Sequence, residues 1–424
     1  MRKRVTRPLA ADDHIPLLVV GAGGAGCAAA LEAKQAGIDV VIVTKADALD
    51  SKTARSQGGV QAALGPGDSA QTHFQDTISA GNSKNNPELV RLMVEQAPQI
   101  VAWLEGLGVA FDRNDQGYVL KQAAGLTHPR VLGCGDETGR RIIAPLLEAV
   151  ERAEIPLFEQ TAVETLRAKT TAEGTTGFVV ELHQEAGRFE ITADSVILAT
   201  GGLIPRERRA GMVFEGPSAA PDGAELGQEI GADLINPDLS QMHPTGVISP
   251  EPLRREVLPE TVRGLGANLL NRHREPFTDP LATRQKLTDA IVRECEAGNG
   301  VETPDGRQGV WLTTPDVDRI NGPGTLAETI PRLYSVFREY GVDLSSEPVL
   351  VYPVLHYSLG GLVINQNAET TVPGLFAAGE VTWGVHGEDR LMGNSLTDIF
   401  VFGRRAGVCA ARYLSGSKAA GGDE

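Results

Sequence analysis

The sequence predicts an α/β protein in which an inserted domain interrupts a Rossmann-like nucleotide-binding domain. Three observations predict this organisation. An unbroken apolar run from Ile15 to Val20 leads into a glycine-rich turn and an alanine-rich stretch, which is typical of a buried strand followed by a helix. After Ile235 the sequence becomes proline-rich, charged and irregular, and it stays so to about Pro353. Strand and helix patterns then return, so the insertion separates two halves of one nucleotide-binding domain.

The first predicted element is a βαβ unit near the start of the chain. The turn after the first strand reads G-A-G-G-A-G, which places Gly21, Gly23 and Gly26 in a G-x-G-x-x-G pattern. A second apolar run, 39–44, supplies the next strand. Glycines here let the backbone approach a pyrophosphate at the helix N-terminus, where N–H groups and the helix dipole favour anions. The unit predicts a dinucleotide site, although Lys45 follows where an acid for a ribose hydroxyl is expected.

The later elements and the domain boundaries follow from the same patterns. The sequence predicts helices at 87–104 and 138–153, a small β-meander over 155–191, a buried strand at 195–199, a returning strand at 375–380 and a closing helix at 394–414. We therefore assign residues 15–234 and 354–416 to the nucleotide-binding domain and 235–353 to the insertion, with tails at 1–14 and 417–424.

Composition and charge restrict the partners and the compartment. Lys and Arg number 39 against 55 Asp and Glu, and the resulting net charge of −16 argues against nucleic acid or an anionic membrane as a partner. Cys27, Cys134, Cys295 and Cys409 lie far apart, which excludes a cysteine-built metal site and suggests a reducing compartment. Apolar runs stay shorter than the ~18 residues of a membrane span. We expect a cytoplasmic protein with no metal site and no direct membrane insertion.

Distinctive blocks occur along most of the chain: S-K-T-A-R-S-Q-G-G-V (51–60), Q-M-H-P-T (241–245), E-T-V-R-G (260–264), H-Y-S-L-G-G (356–361), A-A-G-E (377–380) and H-G-E-D-R-L-M-G-N-S-L (386–396). Through these blocks the chain resembles the flavoprotein subunits of succinate dehydrogenase and fumarate reductase, with L-aspartate oxidase as a near relative. The resemblance implies an FAD-binding domain with an inserted α+β capping domain, and FAD as the cofactor. Because the chain ends after the closing helix, we expect the C-terminal helical domain of the family to be absent.

The resemblance also implies which residues hold FAD. The glycine-rich turn would face the pyrophosphate, Glu380 would hold the ribityl hydroxyls, and the start of the closing helix would meet the flavin, where helix N–H groups stabilise negative charge. The expected set is Gly21, Ala22, Gly23, Gly24, Ala25, Gly26, Thr44, Lys45, Ser51, Thr53, Gln57, Gly58, Gly59, Val163, Ala199, Thr200, Gly201, Asp222, Glu380, Asn394, Ser395 and Leu396. Lys52 stands where respiratory members carry the His that binds FAD covalently, so we expect non-covalent FAD.

A dicarboxylate site is implied by residues that match the later blocks. His243, with the stretch 258–260, would hold one carboxylate, and His356 with Arg390 would hold the other. An Arg guanidinium matches a carboxylate with two parallel hydrogen bonds, while a His fixes direction at lower charge. Two such groups close together select a short dianion and supply the local positive field that an acidic protein needs.

The proton donor in this family is an Arg, which we place at Arg284 in L-A-T-R. Glu260 and Arg263, at positions i and i+3 of a helix, would return the proton to it. One departure bears on this assignment: Gln285 follows Arg284 where the family usually has Asp. A second departure bears on substrate affinity and identity, because Pro259 stands where the family has a Thr hydroxyl facing a substrate carboxylate.

These residues predict an FAD-dependent oxidoreductase that interconverts a dicarboxylate and its alkene by hydride transfer at flavin N5, of the fumarate reductase and succinate dehydrogenase type. L-aspartate oxidation is an alternative, but the stretch 122–130 has Ala where that enzyme places a Glu for the substrate ammonium. A desaturase or reductase of another acid is a wider alternative that Pro259 permits. A non-catalytic electron-transfer flavoprotein is a rival of another class. Electrons would pass to or from oxygen, a diffusible carrier, or a donor or acceptor protein such as an iron–sulfur subunit.

Overall fold

A computed structural model describes residues 8–170, 176–202, 222–254 and 256–420. The helices in these ranges are α1 (Gly24–Gln35), α2 (Ala70–Ala80), α3 (Pro87–Gly106), α4 (Thr138–Arg152), α5 (Asp222–Glu229), α6 (Glu260–Gly264), α7 (Arg284–Glu294), α8 (Pro315–Asn321), α9 (Thr325–Thr329), α10 (Pro331–Glu339) and α11 (Asn394–Ala420). Shorter helical turns lie at Ala48–Asp50, Glu251–Leu253 and Cys295–Asn299.

The strands of the described ranges form several sheets. They are β1 (His14–Val20), β2 (Val40–Val43), β3 (Val60–Gln61), β4 (Arg113–Asn114), β5 (Gly117–Tyr118), β6 (Leu120–Lys121), β7 (Val131–Leu132), β8 (Leu157–Phe158), β9 (Ala162–Thr170), β10 (Thr176–Gln184), β11 (Gly187–Leu198), β12 (Leu234–Ile235), β13 (Ser240–Ser249), β14 (Leu269–Leu270), β15 (Val301–Glu302), β16 (Gln308–Leu312), β17 (Val349–Ser358), β18 (Gly361–Val363), β19 (Leu375–Ala377) and β20 (Thr382–Trp383).

The largest sheet has the order β8-β2-β1-β11-β10-β9, with β19 also paired to β11. Strands β8, β2, β1, β11 and β19 are parallel, while β9 and β10 join β11 as the predicted antiparallel meander. Leu17, Leu18 and Val19 are fully buried in β1, because both faces of a parallel strand are covered. The carboxyl ends of β1, β2 and β11 therefore meet at one edge of the sheet, which is the usual ligand edge of such folds.

Helix α11 packs closely against α1, and the two helices run in the same direction. A Cβ at Gly403 would lie 2.6 Å from the Ala25 carbonyl oxygen, and one at Gly407 would lie 2.1 Å from that of Ala29. Only glycine permits this approach of the two backbones. The first turns of α1 and α11 consequently lie on the same side of the molecule, beside the carboxyl edge of the sheet.

Two buried clusters organise the rest of the chain. The first core consists of buried residues between Leu9 and Ala232 and between Leu362 and Leu414. The second core consists of buried residues between Val247 and Val351. An antiparallel sheet of order β13-β17-β16-β14, with β15 beside β16, forms the second core together with α7 and α10. The predicted α/β fold with an α+β insertion is confirmed. The exact domain boundaries stay a prediction, and β17 runs across the expected boundary at 353.

Most predicted elements are confirmed, with shifted ends. The helices expected at 87–104 and 138–153 are α3 and α4, and the closing helix begins at Asn394 as expected but continues to Ala420. The returning strand ends at Ala377, because the residues after it turn to bring Glu380 to the site described below. Among the described helices none is both long and apolar enough to cross a membrane.

Candidate active site

A large cavity lies at the carboxyl edge of the main sheet and encloses about 1790 Å³, open solvent included. Two parts of its wall differ in chemistry. The glycine-lined part comes from the β1–α1 turn (Gly21–Ala25), the segment 50–59 and residues 199–202. The cationic part comes from His243, Arg284, His356 and Arg390, with Val257, Pro259 and Glu260 beside them.

Most of the predicted cofactor residues line this cavity. They are Gly21, Ala22, Gly23, Gly24, Ala25, Thr44, Lys45, Ser51, Thr53, Gln57, Gly58, Gly59, Val163, Ala199, Thr200, Gly201, Glu380, Ser395 and Leu396. Gly26 and Asn394 lie outside the lining, and the side chain of Asp222 falls outside the described residues.

The three motif glycines serve different physical needs. A Cβ at Gly26 would lie 1.9 Å from the Gly21 carbonyl oxygen, so Gly26 allows α1 to approach the turn after β1. We expected Gly26 to face the cavity, but it lies outside the lining. Gly21 has φ +110° and also lies against the Ala199 carbonyl. Gly23 has an ordinary φ of −70°, and its Cβ position makes ordinary contacts with the Thr53 hydroxyl at 3.6 Å and the Ser51 Cβ at 4.0 Å. Within the motif, Gly23 is therefore the glycine whose small size serves the cavity.

Asn394 anchors the start of α11 from behind the cavity, which differs from the expected flavin contact. Its Oδ1 lies 2.8 Å from His73 Nε2, and its Nδ2 donates to the Thr77 hydroxyl at 3.0 Å. Burial lowers the pKa of His73 to about 4, so the ring is neutral and donates from Nε2 to the amide oxygen. Ser395 and Leu396, in the first turn of this anchored helix, line the cavity.

The glycine-lined part fits FAD. First-turn N–H groups of a helix have no partner within the helix, so the start of α1 offers donors to a pyrophosphate. One of them, from Gly24, donates to the Thr53 hydroxyl at 3.1 Å. A Cβ at Gly201 would meet nothing within 4 Å, which leaves room beside the main chain there. The Glu380 carboxylate supplies an acceptor for hydroxyl groups.

Lys52, at the position of the family's covalent His, forms an ion pair in the cavity wall. Its Nζ lies 2.5 Å from Glu380 Oε1, an oxygen that also accepts from the Ser358 N–H at 2.9 Å. Glu380 is thereby fixed by two donors from different segments. The amine of Lys52 is therefore engaged by the carboxylate of Glu380.

Two histidines from neighbouring strands face each other in the cationic part. His243 on β13 and His356 on β17 have ring centres 5.2 Å apart, in an edge-to-face arrangement. Burial, followed by the positive charge of Arg284, holds the pKa of both rings well below the usual range. Both imidazoles are therefore neutral at pH 7 and act as directed hydrogen-bonding groups.

The three residues predicted to move a proton lie in one contact chain. Arg284 is the first residue of α7, and its Nε lies 3.6 Å from Glu260 Oε2. The same carboxylate oxygen lies 3.8 Å from Arg263 Nη2 across one turn of α6. Arg284 and Glu260 line the cavity, whereas Arg263 is fully buried behind them and donates to the Pro280 carbonyl. Burial lowers the pKa of Arg263, which Glu260 counteracts.

Arg390 lies in the cavity wall without a carboxylate partner among the described residues. Its Nη1 donates to the Leu391 carbonyl at 3.1 Å and to the Ser395 hydroxyl at 3.3 Å. Burial and the charge of Arg284 lower the pKa of Arg390 to about 10, so the guanidinium remains charged at neutral pH. Its charge is available to an anion in the cavity.

Sequence reasoning missed three residues that organise the cationic part. Gln241 Oε1 accepts from Arg284 at 2.9 Å, and its Nε2 donates to Asp389 Oδ1 and to the Arg390 carbonyl. The ring of Tyr357 lies beneath Arg390, and the Ala124 N–H donates to Glu260 Oε1 at 2.5 Å. Gln241 and Tyr357 stand inside recognised blocks and could have been assigned. Ala124 acts through its main chain, which leaves no side-chain signal.

Comparisons with known proteins agree with this architecture. The family model for the FAD binding domain matches residues 17–396. A fumarate reductase (CoM/CoB) of Methanothermobacter marburgensis contains a chain that is 37% identical over 417 residues, which are 95% of this chain and 73% of that one. L-aspartate oxidase of Streptomyces coelicolor is 35% identical over 422 residues, 95% of this chain and 69% of that enzyme.

Solved structures give the same result. A mutant quinol fumarate reductase of E. coli matches with a TM-score of 0.86 and 29% identity, covering 96% of this chain and 71% of the other. The family model and the relatives, together with the FAD-compatible cavity, show that the chain belongs to the FAD-dependent oxidoreductases of the succinate dehydrogenase and fumarate reductase flavoprotein family.

Proposed function

We propose that this protein interconverts a short dicarboxylate and its alkene, such as succinate and fumarate, with non-covalently bound FAD. The observation that carries the proposal is the convergence of Arg284, Arg390 and two neutral histidines on one part of the cavity that adjoins the glycine-lined part. Two guanidinium groups and two imidazoles offer hydrogen-bond donors to two carboxylates, and they supply positive charge inside a protein of net charge −16.

Substrate orientation is assigned to three of these groups. Arg390 and His356 hold one carboxylate, and His243 holds the other beside the 258–260 stretch. Pro259 offers no side-chain donor, so the second carboxylate depends more on His243. Holding both ends of a short alkene fixes the reacting carbons relative to their surroundings, which is how positioning lowers a barrier.

Proton delivery to the alkene is assigned to Arg284. The chemistry that bound FAD supplies is hydride transfer at N5, which leaves one alkene carbon in need of a proton. Arg284 lies in the cavity wall next to the substrate groups and gives that proton from its guanidinium. Glu260, 3.6 Å from Arg284 Nε, returns a proton, and Arg263 resupplies Glu260.

The test is anaerobic reduction of the purified flavoprotein followed by fumarate, with flavin absorbance followed near 450 nm. Fumarate should restore the oxidised band rapidly, and Arg284→Ala should slow this step by at least ~10²-fold, the typical contribution of a general acid. Arg293→Ala is the matched control, because Arg293 is exposed on the same helix and should behave as wild type. Wild-type turnover in Arg284→Ala would remove Arg284 from the mechanism, and no response to fumarate would refute the substrate.

Non-covalent FAD is proposed because Lys52 replaces the histidine of the covalent attachment and pairs with Glu380. Acid precipitation should release all of the yellow colour into the supernatant. Flavin retained in the washed pellet would refute this part of the proposal.

An electron-carrying partner is also proposed, since the described cysteines are buried singly and offer no cluster of their own. We infer an electron donor or acceptor protein, of which the first candidate is an iron–sulfur subunit, and a cytoplasmic location. Size-exclusion chromatography of the native complex from its own cells tests the partner. Elution of all the flavin at the mass of a lone chain would contradict it.

L-aspartate oxidation is the second candidate, favoured by relatives such as the Streptomyces coelicolor enzyme. The stretch 122–130 argues against it, because this stretch contains no carboxylate to hold the substrate ammonium. Ala124 contributes only its main-chain N–H, which donates to Glu260. Anaerobic L-aspartate should therefore leave the flavin oxidised. Bleaching by L-aspartate, together with no response to fumarate, would reverse the order of the two candidates.

A further inference from the structure

The ring of Tyr357 lies against the guanidinium of Arg390. We propose that Tyr357 is a positioning residue that sets the orientation of Arg390 through its ring face, without using its hydroxyl. The inference rests on the proposed function in one respect: Arg390 is taken as the group that binds a substrate carboxylate.

The contact is that of a cation over an aromatic face. The central carbon of the Arg390 guanidinium lies 4.5 Å from the ring centre of Tyr357, within the distance at which this attraction operates. Tyr357 is 5% exposed and Arg390 is also 5% exposed, so the pair is largely removed from water. Desolvation strengthens the attraction, because water no longer competes for the cation.

The hydroxyl of Tyr357 makes no hydrogen bond to Arg390. Its oxygen is buried and has no hydrogen-bond partner among the described residues. Burial raises the pKa of this phenol well above the usual range, so it carries no charge. The ring is the part of the side chain that contacts Arg390.

Holding the arginine by a ring has a chemical consequence. An acid beside Arg390 would fix it equally well but would neutralise the charge that a substrate carboxylate needs. The nearby Asp389 instead accepts from Gln241, and the described residues provide Arg390 with two neutral acceptors on Nη1 alone. The ring therefore orients the guanidinium while leaving its charge and its remaining N–H groups for an anion.

The ring itself is held on its other sides. The His386 ring meets it edge-to-face with centres 5.4 Å apart, and His386 Nε2 lies 3.4 Å from Asp398 Oδ2 in the buried part of α11. Lys52 Nζ lies 5.5 Å from the ring centre. Tyr357 is thus fixed between the cofactor side and the substrate side of the cavity.

Two variants separate the ring from the hydroxyl. Tyr357→Phe keeps the face, and Tyr357→Leu removes it while keeping an apolar side chain. Binding of fumarate or of the unreactive dianion malonate is measured from the change in the oxidised flavin spectrum. We expect Tyr357→Leu to raise the dissociation constant and the KM for fumarate about 30-fold, with a smaller loss in kcat. Tyr357→Phe should keep the wild-type values.

Crystal structures of both variants test the inference independently of any substrate. The Arg390 guanidinium should stay over the ring in Tyr357→Phe and leave this position in Tyr357→Leu. An unmoved guanidinium in Tyr357→Leu, or equal loss of binding in both variants, would overturn the inference. If wild-type protein binds no dicarboxylate, the proposed function fails, and the position of Arg390 in the two structures still decides the role of Tyr357. FAD content and melting temperature of each variant control for folding.

Discussion

One added methyl group should impair different properties at the two motif glycines: stability at Gly26 and FAD binding at Gly23. In Gly26→Ala the new Cβ would lie 1.9 Å from the Gly21 carbonyl oxygen, 1.1 Å short of the 3.0 Å below which such contacts essentially never occur. The obstacle is backbone and cannot rotate away. Overpacking of this kind costs about 3 kcal/mol or more of the free energy of unfolding.

Gly23→Ala makes the same chemical change without that obstacle. The nearest atom to the new Cβ is the Thr53 hydroxyl at 3.6 Å, which is an ordinary contact, and φ is −70°. Alanine is a poorer N-cap than glycine, so the apoprotein loses about 1 kcal/mol. The methyl nevertheless projects into the cavity where FAD is proposed to lie. Losing one or two charge-assisted hydrogen bonds to the pyrophosphate weakens FAD binding about 10- to 100-fold.

Two measurements on each variant separate these effects. Urea unfolding of the apoprotein, followed by circular dichroism, gives stability, and quenching of flavin fluorescence on titration gives the FAD dissociation constant. In urea unfolding, Gly26→Ala should lose about 3 kcal/mol or more and Gly23→Ala only about 1 kcal/mol. Gly23→Ala should show its main loss in the FAD dissociation constant. Wild-type FAD affinity in Gly23→Ala would refute the proposed pyrophosphate position, and a stable Gly26→Ala would refute the packing argument.

Two further perturbations address buried ionisable side chains. Burial lowers the pKa of His73 to about 4. The unfolded chain therefore binds a proton below pH ~6.5 that the folded chain binds only below pH ~4. The free energy of unfolding, measured in urea, should fall by about 3 kcal/mol as the pH is lowered across this interval. His73→Gln should flatten that slope, and an unchanged slope would contradict the assignment. Arg130→Met leaves Asp68 and Asp76 buried without their cation and should cost about 3–5 kcal/mol in the same assay. Adding Asp68→Asn and Asp76→Asn should recover part of the loss; a fully stable single variant would contradict this.

The sequence predicts local features well, because their causes are local. The apolar run of β1 and the glycine spacing after it mark a strand, a turn and a helix within a few residues of each other. The spacing does not distinguish Gly23 from Gly26, since the distinction depends on the backbone that faces each Cα. Likewise the ion pairs of Arg130 join residues 54 and 62 positions apart. Such contacts arise from the packing of several elements and leave no periodic pattern.

The cationic part of the cavity is built from residues of both cores. The binding of the dicarboxylate there should therefore depend on how the two cores are attached to each other. Arg284 and Glu260 lie on elements of the second core, whereas Arg390 directly precedes α11 of the first. Beyond the Ala124 contact with Glu260, the carboxylate of Asp136 accepts from the N–H groups of Arg332 and Leu333 and so caps α10 from outside the second core.

The glycine-lined part depends less on such contacts, because the glycine-rich turn and α11 flank the main sheet; its contact with the second-core sheet is the Ser358 N–H of β17, which donates to Glu380. Weakening the attachment of the second core, for example by Asp136→Ala, should therefore impair dicarboxylate binding before it impairs FAD binding. The spectral titration with malonate and the fluorescence titration with FAD measure the two affinities on the same variant. Equal loss of both would mean that the second core also shapes the cofactor site; loss of the dicarboxylate alone would mean that it contributes chiefly to the substrate site.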